Sequence, residues 1–130
     1  MPRGYVLPAD LADIAAKLRL HNVQVQTLEK PIQEEGEQFV INRTSKVRRG
    51  GLVLTTVDGG FFGPSVREFP AGSFLVDLAQ PMANAAFYYL EPQAADGFVG
   101  AGLFDEYLGK LGIDRGPVVY PVFKYRRIVP

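Results

Sequence analysis

The sequence has no cysteine and no tryptophan, a single histidine, and no excess of charge of either sign. Without cysteine there are no disulfides, no thiolate zinc site, no CxxC redox chemistry and no thiol nucleophile. One imidazole, that of His21, removes every site that needs two. Lys and Arg number 14 and Asp and Glu number 14, so the formal charge is zero. A dedicated nucleic-acid binder carries cations in excess to neutralise phosphate, and this chain does not. The same balance argues against an acidic solvating tail. No apolar run reaches the roughly 18 residues that a membrane-spanning helix needs. The opening Met1-Pro2-Arg3-Gly4-Tyr5 lacks the basic-then-apolar run of a signal peptide. For an exported product, the targeting segment is therefore expected outside this chain. There is no internal repeat, heptad array or low-complexity tract.

What is present is a core-forming composition. At 130 residues and 47% hydrophobic, the chain has the size of one domain and enough apolar mass to fold without staples. Tyr5-Val6-Leu7, closed by Pro8, reads as a first strand. Over residues 9–20 the period changes: Leu11, Ile14, Ala15 and Leu18 fall on one helical face. Asp10 and Asp13 suit its positive end, Asp13 and Lys17 pair at i,i+4, and Asn22 suits a left-handed terminator. Val23 and Val25 alternate with glutamines as a half-buried strand. Residues 29–36 read as a polar connection, 38–43 as a strand, and 44–51 as a basic loop. Residues 52–57 alternate again and stop at the turn signal Asp58-Gly59-Gly60. Phe69-Pro70-Ala71-Gly72 marks another turn before the alternating Phe74, Val76 and Leu78. Pro81 can open a short helix over 82–90, a second fits 103–111 with Gly112 ending it, and 118–128 closes as a strand bent at Pro121. The expected fold is α+β, a mainly antiparallel sheet or sandwich with an N-terminal helix and two short later helices.

Few residue patterns carry chemistry. His21 sits where a helix ends, so capping accounts for it. Glu91, Asp96 and Asp105 lie near one another in sequence around a glycine-containing loop, where two carboxylates could share a site. Turn and cap chemistry is the favoured reading, since Asp96-Gly97 is a turn dipeptide and Asp105 opens a helix. Gly59-Gly60-Phe61-Phe62-Gly63 and Gly97-Phe98-Val99-Gly100-Ala101-Gly102 complete neither GxGxxG nor GxxxxGK[ST], so both read as turns or bulges. Ser65 and Ser73 have no GxSxG setting. Two basic clusters, Arg43, Lys46, Arg48, Arg49 and then Lys124, Arg126, Arg127, read as solvated strand faces rather than a nucleic-acid surface.

A longer pattern runs from Phe69-Pro70-Ala71-Gly72 through Gln80-Pro81 to Tyr88-Tyr89-Leu90-Glu91-Pro92, Asp96-Gly97 and Leu103-Phe104-Asp105. It is preceded by Arg3-Gly4-Tyr5-Val6-Leu7-Pro8 and Lys17-Leu18-Arg19-Leu20-His21-Asn22-Val23-Gln24-Val25, and Tyr120-Pro121-Val122 follows near the end. This pattern resembles the domain that follows the catalytic domain in a group of bacterial zinc carboxypeptidases of the carboxypeptidase A type. The likeness covers most of the chain. Three positions depart from the pattern: Asn22 for glycine, Ala101 for tryptophan, and Leu103 for an aromatic. The loss of a large ring at 101 removes contact area from any shared surface.

The resemblance implies an accessory module, spanning 1–130 as one domain, whose partner is a zinc carboxypeptidase-like catalytic domain in cis or in trans. It also implies an exported or periplasmic setting. Zinc is expected only in that other domain. Such enzymes hold the metal with two His and a Glu, opening with HxxE, whereas His21 is followed by Asn22-Val23-Gln24. The interface residues expected from the motif are Gln80, Tyr89, Glu91, Asp96, Phe104 and Asp105, with no catalytic or metal-ligating residue. No nucleic-acid or membrane partner is expected. Two other readings remain open: a free-standing peptide- or glycan-binding module using Phe61, Phe62 and Tyr88, and a small acid-dependent or self-processing hydrolase using Asp96 and Asp105.

Overall fold

Tyr5, Val6 and Leu7 form the middle of strand β1 (Gly4–Leu7), in which every residue is buried. Such a strand must be covered on both faces, and it lies in the interior of the sheet. The computed structural model describes residues 2–94 and 97–129, with side chains as far as Arg126. After β1 come a 3-10 turn (Ala9–Leu11), α1 (Ala12–Leu20), β2 (Gln26–Thr27), β3 (Ile32–Arg49), β4 (Leu52–Phe69) and β5 (Phe74–Asp77). Then follow α2 (Ala83–Leu90), α3 (Asp105–Leu111), β6 (Val118–Val119) and β7 (Phe123–Val129). The strands form one antiparallel sheet of seven in the order β2-β5-β1-β7-β3-β4, with β6 also paired to β3. The fold is α+β, as the sequence predicts, and it is a single sheet rather than a sandwich.

Alternation along the strands divides the core. Tyr5, Leu7, Phe39, Ile41, Phe74 and Val76 face one side, where Leu11, Ile14, Ala15 and Leu18 of the first helical segment pack with Leu90, Phe104 and Leu108. Val6, Leu75, Phe123 and Tyr125 face the other, with Leu28 and Phe69. All three helices thus deliver their buried residues to one face. The first helical segment obeys its periodicity, and Asn22 takes the left-handed conformation with φ 65°. Gly112 ends α3 in the same way, at φ 89°. Leu111, expected among the apolar residues of that helix, is instead exposed.

The largest departure from the sequence reading is one long hairpin. Residues 32–36 and 44–49, read as polar connection and basic loop, are both strand, and β4 runs through the supposed turn at Asp58-Gly59-Gly60 to Phe69. The real turn is Gly50-Gly51, between the paired Arg49 and Leu52, with φ of 53° and 82°. Positive φ at both central residues is the type I′ geometry that matches strand twist. Gly59 has a different role: a Cβ there would lie 2.0 Å from the Val40 carbonyl oxygen, so the adjacent strand excludes any side chain. Register shifts fall at Glu37 and Asn42, the first opposite Gly63-Pro64.

Two smaller corrections concern strand ends. Val23 and Val25 are outside the ladder, because the backbone of Gln24 is bonded by the Gln80 side chain instead. The closing strand is split at Tyr120-Pro121-Val122 into β6 and β7. Among the described residues, no helix is long and apolar enough to cross a membrane.

Candidate functional site

Pro92 disfavours a helical conformation at the residue before it, and Glu91 indeed turns extended (φ −67°, ψ 126°) as α2 ends. Its carboxylate is carried onto the helix-covered face of the sheet. Tyr5 of β1 and Lys124 of β7 are register partners there, so their side chains share a face. Tyr5 donates its phenolic hydrogen to Glu91 Oε2, and Lys124 Nζ reaches Glu91 Oε1 at 2.9 Å. The ammonium also lies 3.6 Å from the centroid of the Phe61 ring, a desolvated cation–π contact. Only 11% of the Lys124 side chain and 15% of the Glu91 side chain are exposed. Lys124 therefore corrects the solvated reading of its basic cluster.

The electrostatics of this cluster are fixed by burial. Desolvation, followed by the hydrogen bond and charge of Glu91, holds the Tyr5 phenol far above the usual tyrosine range. Tyr120 is raised well above it too, by burial and then by the Glu91 charge, and its hydroxyl donates to the Leu90 carbonyl at 2.7 Å. Both phenols remain donors at any ordinary pH. Each Glu91 oxygen already has a donor, so the arrangement anchors the end of α2 to β1 and β7.

Asp105, the first residue of α3, is held by the arm of the hairpin. Its Oδ1 accepts from the Thr55 hydroxyl at 2.9 Å, and its Oδ2 pairs with the Lys46 ammonium. Lys46 also donates to Thr55 Oγ1 at 2.6 Å. The structure thus gives Glu91 and Asp105 separate sets of partners. Gln80 clamps main chain: its Oε1 accepts from the Gln24 amide at 2.7 Å, and its Nε2 donates to the carbonyls of Gln24 and Asp77. Tyr89 stacks on Phe98 at 4.8 Å with its ring nearly parallel, and its hydroxyl lies 3.4 Å from His21 Nδ1. Phe104 is fully buried, edge-on to Tyr120. Asp96 lies outside the described residues. His21 lies at the end of α1, where its backbone N–H rather than its ring meets the last carbonyls.

No family model matches the chain. Curated relatives do. Over 129 residues, 96% of this chain, it is 32% identical to a Trichophyton equinum protein named carboxypeptidase 2. It is likewise 32% identical over 127 residues to carboxypeptidase 2 of Trichophyton tonsurans, and 34% identical over 99 residues to a probable carboxypeptidase 2 of Arthroderma benhamiae. The chain is similar to one part of carboxypeptidase-type proteins. It spans about a fifth of the length of these relatives, 22% of the first two and 18% of the third. They are fungal, whereas the pattern read from the sequence is that of bacterial proteins. No solved structure matches.

Among the described residues no group of three or more His, Asp or Glu side chains is positioned to hold an ion. His21 instead faces the rings of Tyr89 and Phe98. The residues that sequence reasoning missed are the partners, Tyr5 and Lys124 for Glu91, Phe61 for Lys124, and Lys46 and Thr55 for Asp105. No sequence signal marks them, because each pairing joins residues that only the sheet order brings together.

Proposed function

We propose that the chain is a non-catalytic accessory domain of a carboxypeptidase-like protein, one unit over 1–130. It packs on a zinc-dependent catalytic domain, in cis or in trans, and borders its substrate cleft. The observation that carries this reading is the alignment of 96% of the chain with only 22% of carboxypeptidase 2. Most of such a protein is then left to supply the metal ligands and the chemistry. The saturated carboxylates of Glu91 and Asp105 agree with this, since each is committed to holding a helix end against the sheet. Gln80, Tyr89 and Phe104 shape the same motif from within.

Titration calorimetry tests the reading. The 130-residue chain is titrated into a separately prepared carboxypeptidase 2 catalytic region, and saturable one-to-one association is expected. Absence of heat at concentrations of about 100 μM would place the affinity beyond that of a functional interdomain contact. A second reading, a peptide- or glycan-binding module, is favoured by the exposure of Phe62 and Tyr88. Phe61 adds nothing to it, because its ring lies beneath Lys124 and against Phe39. Binding of a glycan or peptide array that is lost in Phe62→Ala or Tyr88→Ala would favour this second reading.

A further inference from the structure

The long hairpin continues past the rest of the sheet as a two-stranded arm. Pairing of β3 with β7 ends at Glu37 and with β6 at Ile41, so residues 43–49 pair with β4 alone. In this register Val47 and Leu54, and likewise Arg49 and Leu52, are opposite one another and share one face of the arm. Lys46 and Thr55, which reach Asp105, belong to the other face. Toward its tip the first face is therefore an apolar strip with one cation, Arg49, while Ser45, Thr56 and the ion-paired Arg43 and Asp58 share it nearer the base. Leu52 is 66% exposed. Arg49 has no hydrogen-bond or ion-pair partner among the described residues. At the base of the arm, Pro92, Gln93, Ala94 and Gly100 come up beside Val47 and Leu54, leaving an open groove of about 260 Å³.

The outer edge of β4 beside this groove is already used by main chain. The Thr55 amide donates to the Gly100 carbonyl at 2.9 Å, and the Gln93 side chain donates to the Val57 carbonyl at 3.4 Å. Outward-facing groups recur at every second residue, so the amide and carbonyl of Val53 face outward as well. Among the described residues nothing bonds them.

We propose that this groove receives an extended segment of the carboxypeptidase-like catalytic domain in which a carboxylate is flanked by apolar side chains. The apolar side chains lie on Leu52, Leu54 and Val47, the carboxylate on Arg49, and the main chain on Val53. The source of the segment rests on the accessory-domain reading. Past the part of this edge that Gly100 and Gln93 cover, Val53 is paired with nothing among the described residues, and the exposed Leu52 lies next to it, an arrangement that is ordinarily covered. Added strands bind through main-chain hydrogen bonds, while alternate side chains set specificity. A guanidinium with free donors selects a planar carboxylate. The part of the relatives that this chain does not span, about four fifths, provides the covering polypeptide.

A blocked heptapeptide with valine, glutamate and valine at its second, fourth and sixth positions, separated by threonines so that the three share one face, is the probe, set against the same peptide with lysine for glutamate. The glutamate peptide is expected to bind the 130-residue chain at least about tenfold more tightly and to slow hydrogen exchange at the Val53 amide. Arg49→Glu should reverse the preference, and Leu52→Ser should weaken both peptides. Both side chains are exposed, so an unchanged melting temperature shows that the variants keep the fold. Equal binding of the two peptides, binding of neither, or an unchanged preference in Arg49→Glu overturns the proposal. Undiminished association of the catalytic domain with Arg49→Glu overturns it too, but leaves the accessory reading intact. Peptide binding with no catalytic-domain association removes the accessory reading and, with it, the source assigned to the segment.

Discussion

Glu34 is fully buried, and neither carboxylate oxygen meets a hydrogen-bond donor among the described residues. Burial pushes its carboxyl up to about 7; the Asp77 charge adds to the rise and Arg3 opposes it. The folded protein therefore keeps a proton on Glu34 that the unfolded chain releases near the usual value of 4.5. Stability from this group is fully present below that value and is lost as pH rises through about 7. At about 1.4 kcal/mol per unit, the window is worth on the order of 3 kcal/mol. Glu34→Gln is expected to flatten this slope, leaving the variant more stable than the parent at about pH 8 but not at about pH 5, by urea denaturation. Glu91 is the opposite case, a buried carboxylate with every oxygen matched. Glu91→Ala leaves the Lys124 ammonium buried without its counter-charge, and the expected loss is about 3–5 kcal/mol. Joint replacement by Glu91→Gln and Lys124→Met should recover much of it, which a double-mutant cycle in denaturant would read. Sequence picked out Glu91 and Asp105 as interface residues. It could not show Tyr5, Lys124, Lys46 or Thr55 as their partners, and it misplaced Glu34 in a connection.

At the scale of elements, local signals served the helices and failed the hairpin, for a physical reason. A helix is closed by bonds within itself, so the spacing of Leu11, Ile14, Ala15 and Leu18 carries its own proof. A strand is defined by its neighbour, and 44–49 is strand because 52–57 lies beside it. Its Lys46, Arg48 and Arg49 are tolerated because all three are exposed, on both faces of the arm. Two glycine pairs competed as the turn, and the aspartate of Asp58-Gly59-Gly60 made the wrong one persuasive. In the structure Asp58 is a strand residue paired in register with Arg43, their side chains 3.4 Å apart. The two glycine sites should respond differently. Gly51 has φ 82° and open space where a Cβ would go, so Gly51→Ala is expected to cost about 1–2 kcal/mol through backbone conformation alone. Gly51→Asn should cost less, since asparagine tolerates the left-handed region. At Gly59 the obstacle is the Val40 carbonyl, and neither alanine nor asparagine relieves it. Thermal melts of these four variants separate a conformational cost from a steric one.

For the whole molecule, the sheet order makes the end of the chain its middle. β7 lies between β1 and β3, and β1 in turn joins it to β5. Phe123 and Tyr125 fill one side of the sheet, and Val122 and Tyr120 fill the other. No pattern in the sequence announces this order, because β1 and β7 are as far apart along the chain as two strands can be. The arm has the reverse character, since residues 43–49 pair only with their own partner strand. Two deletions of similar size should therefore have unlike outcomes. Removing 118–130 takes out the strand that links the two halves of the sheet, together with the Lys124 contact to Glu91. That chain is expected to lose cooperative unfolding and most of its hydrogen-exchange protection. Shortening the hairpin by removing 45–56 and rejoining it through two glycines deletes pairing internal to the arm and the Asp105 contacts at its base. This chain should still unfold in one transition, with a melting temperature lowered by about 4 °C for each kcal/mol lost in a domain of this size. If the two deletions proved equally damaging, the arm would belong to the folding core. Its exposed face would then be an accident of packing rather than a surface held out for another domain.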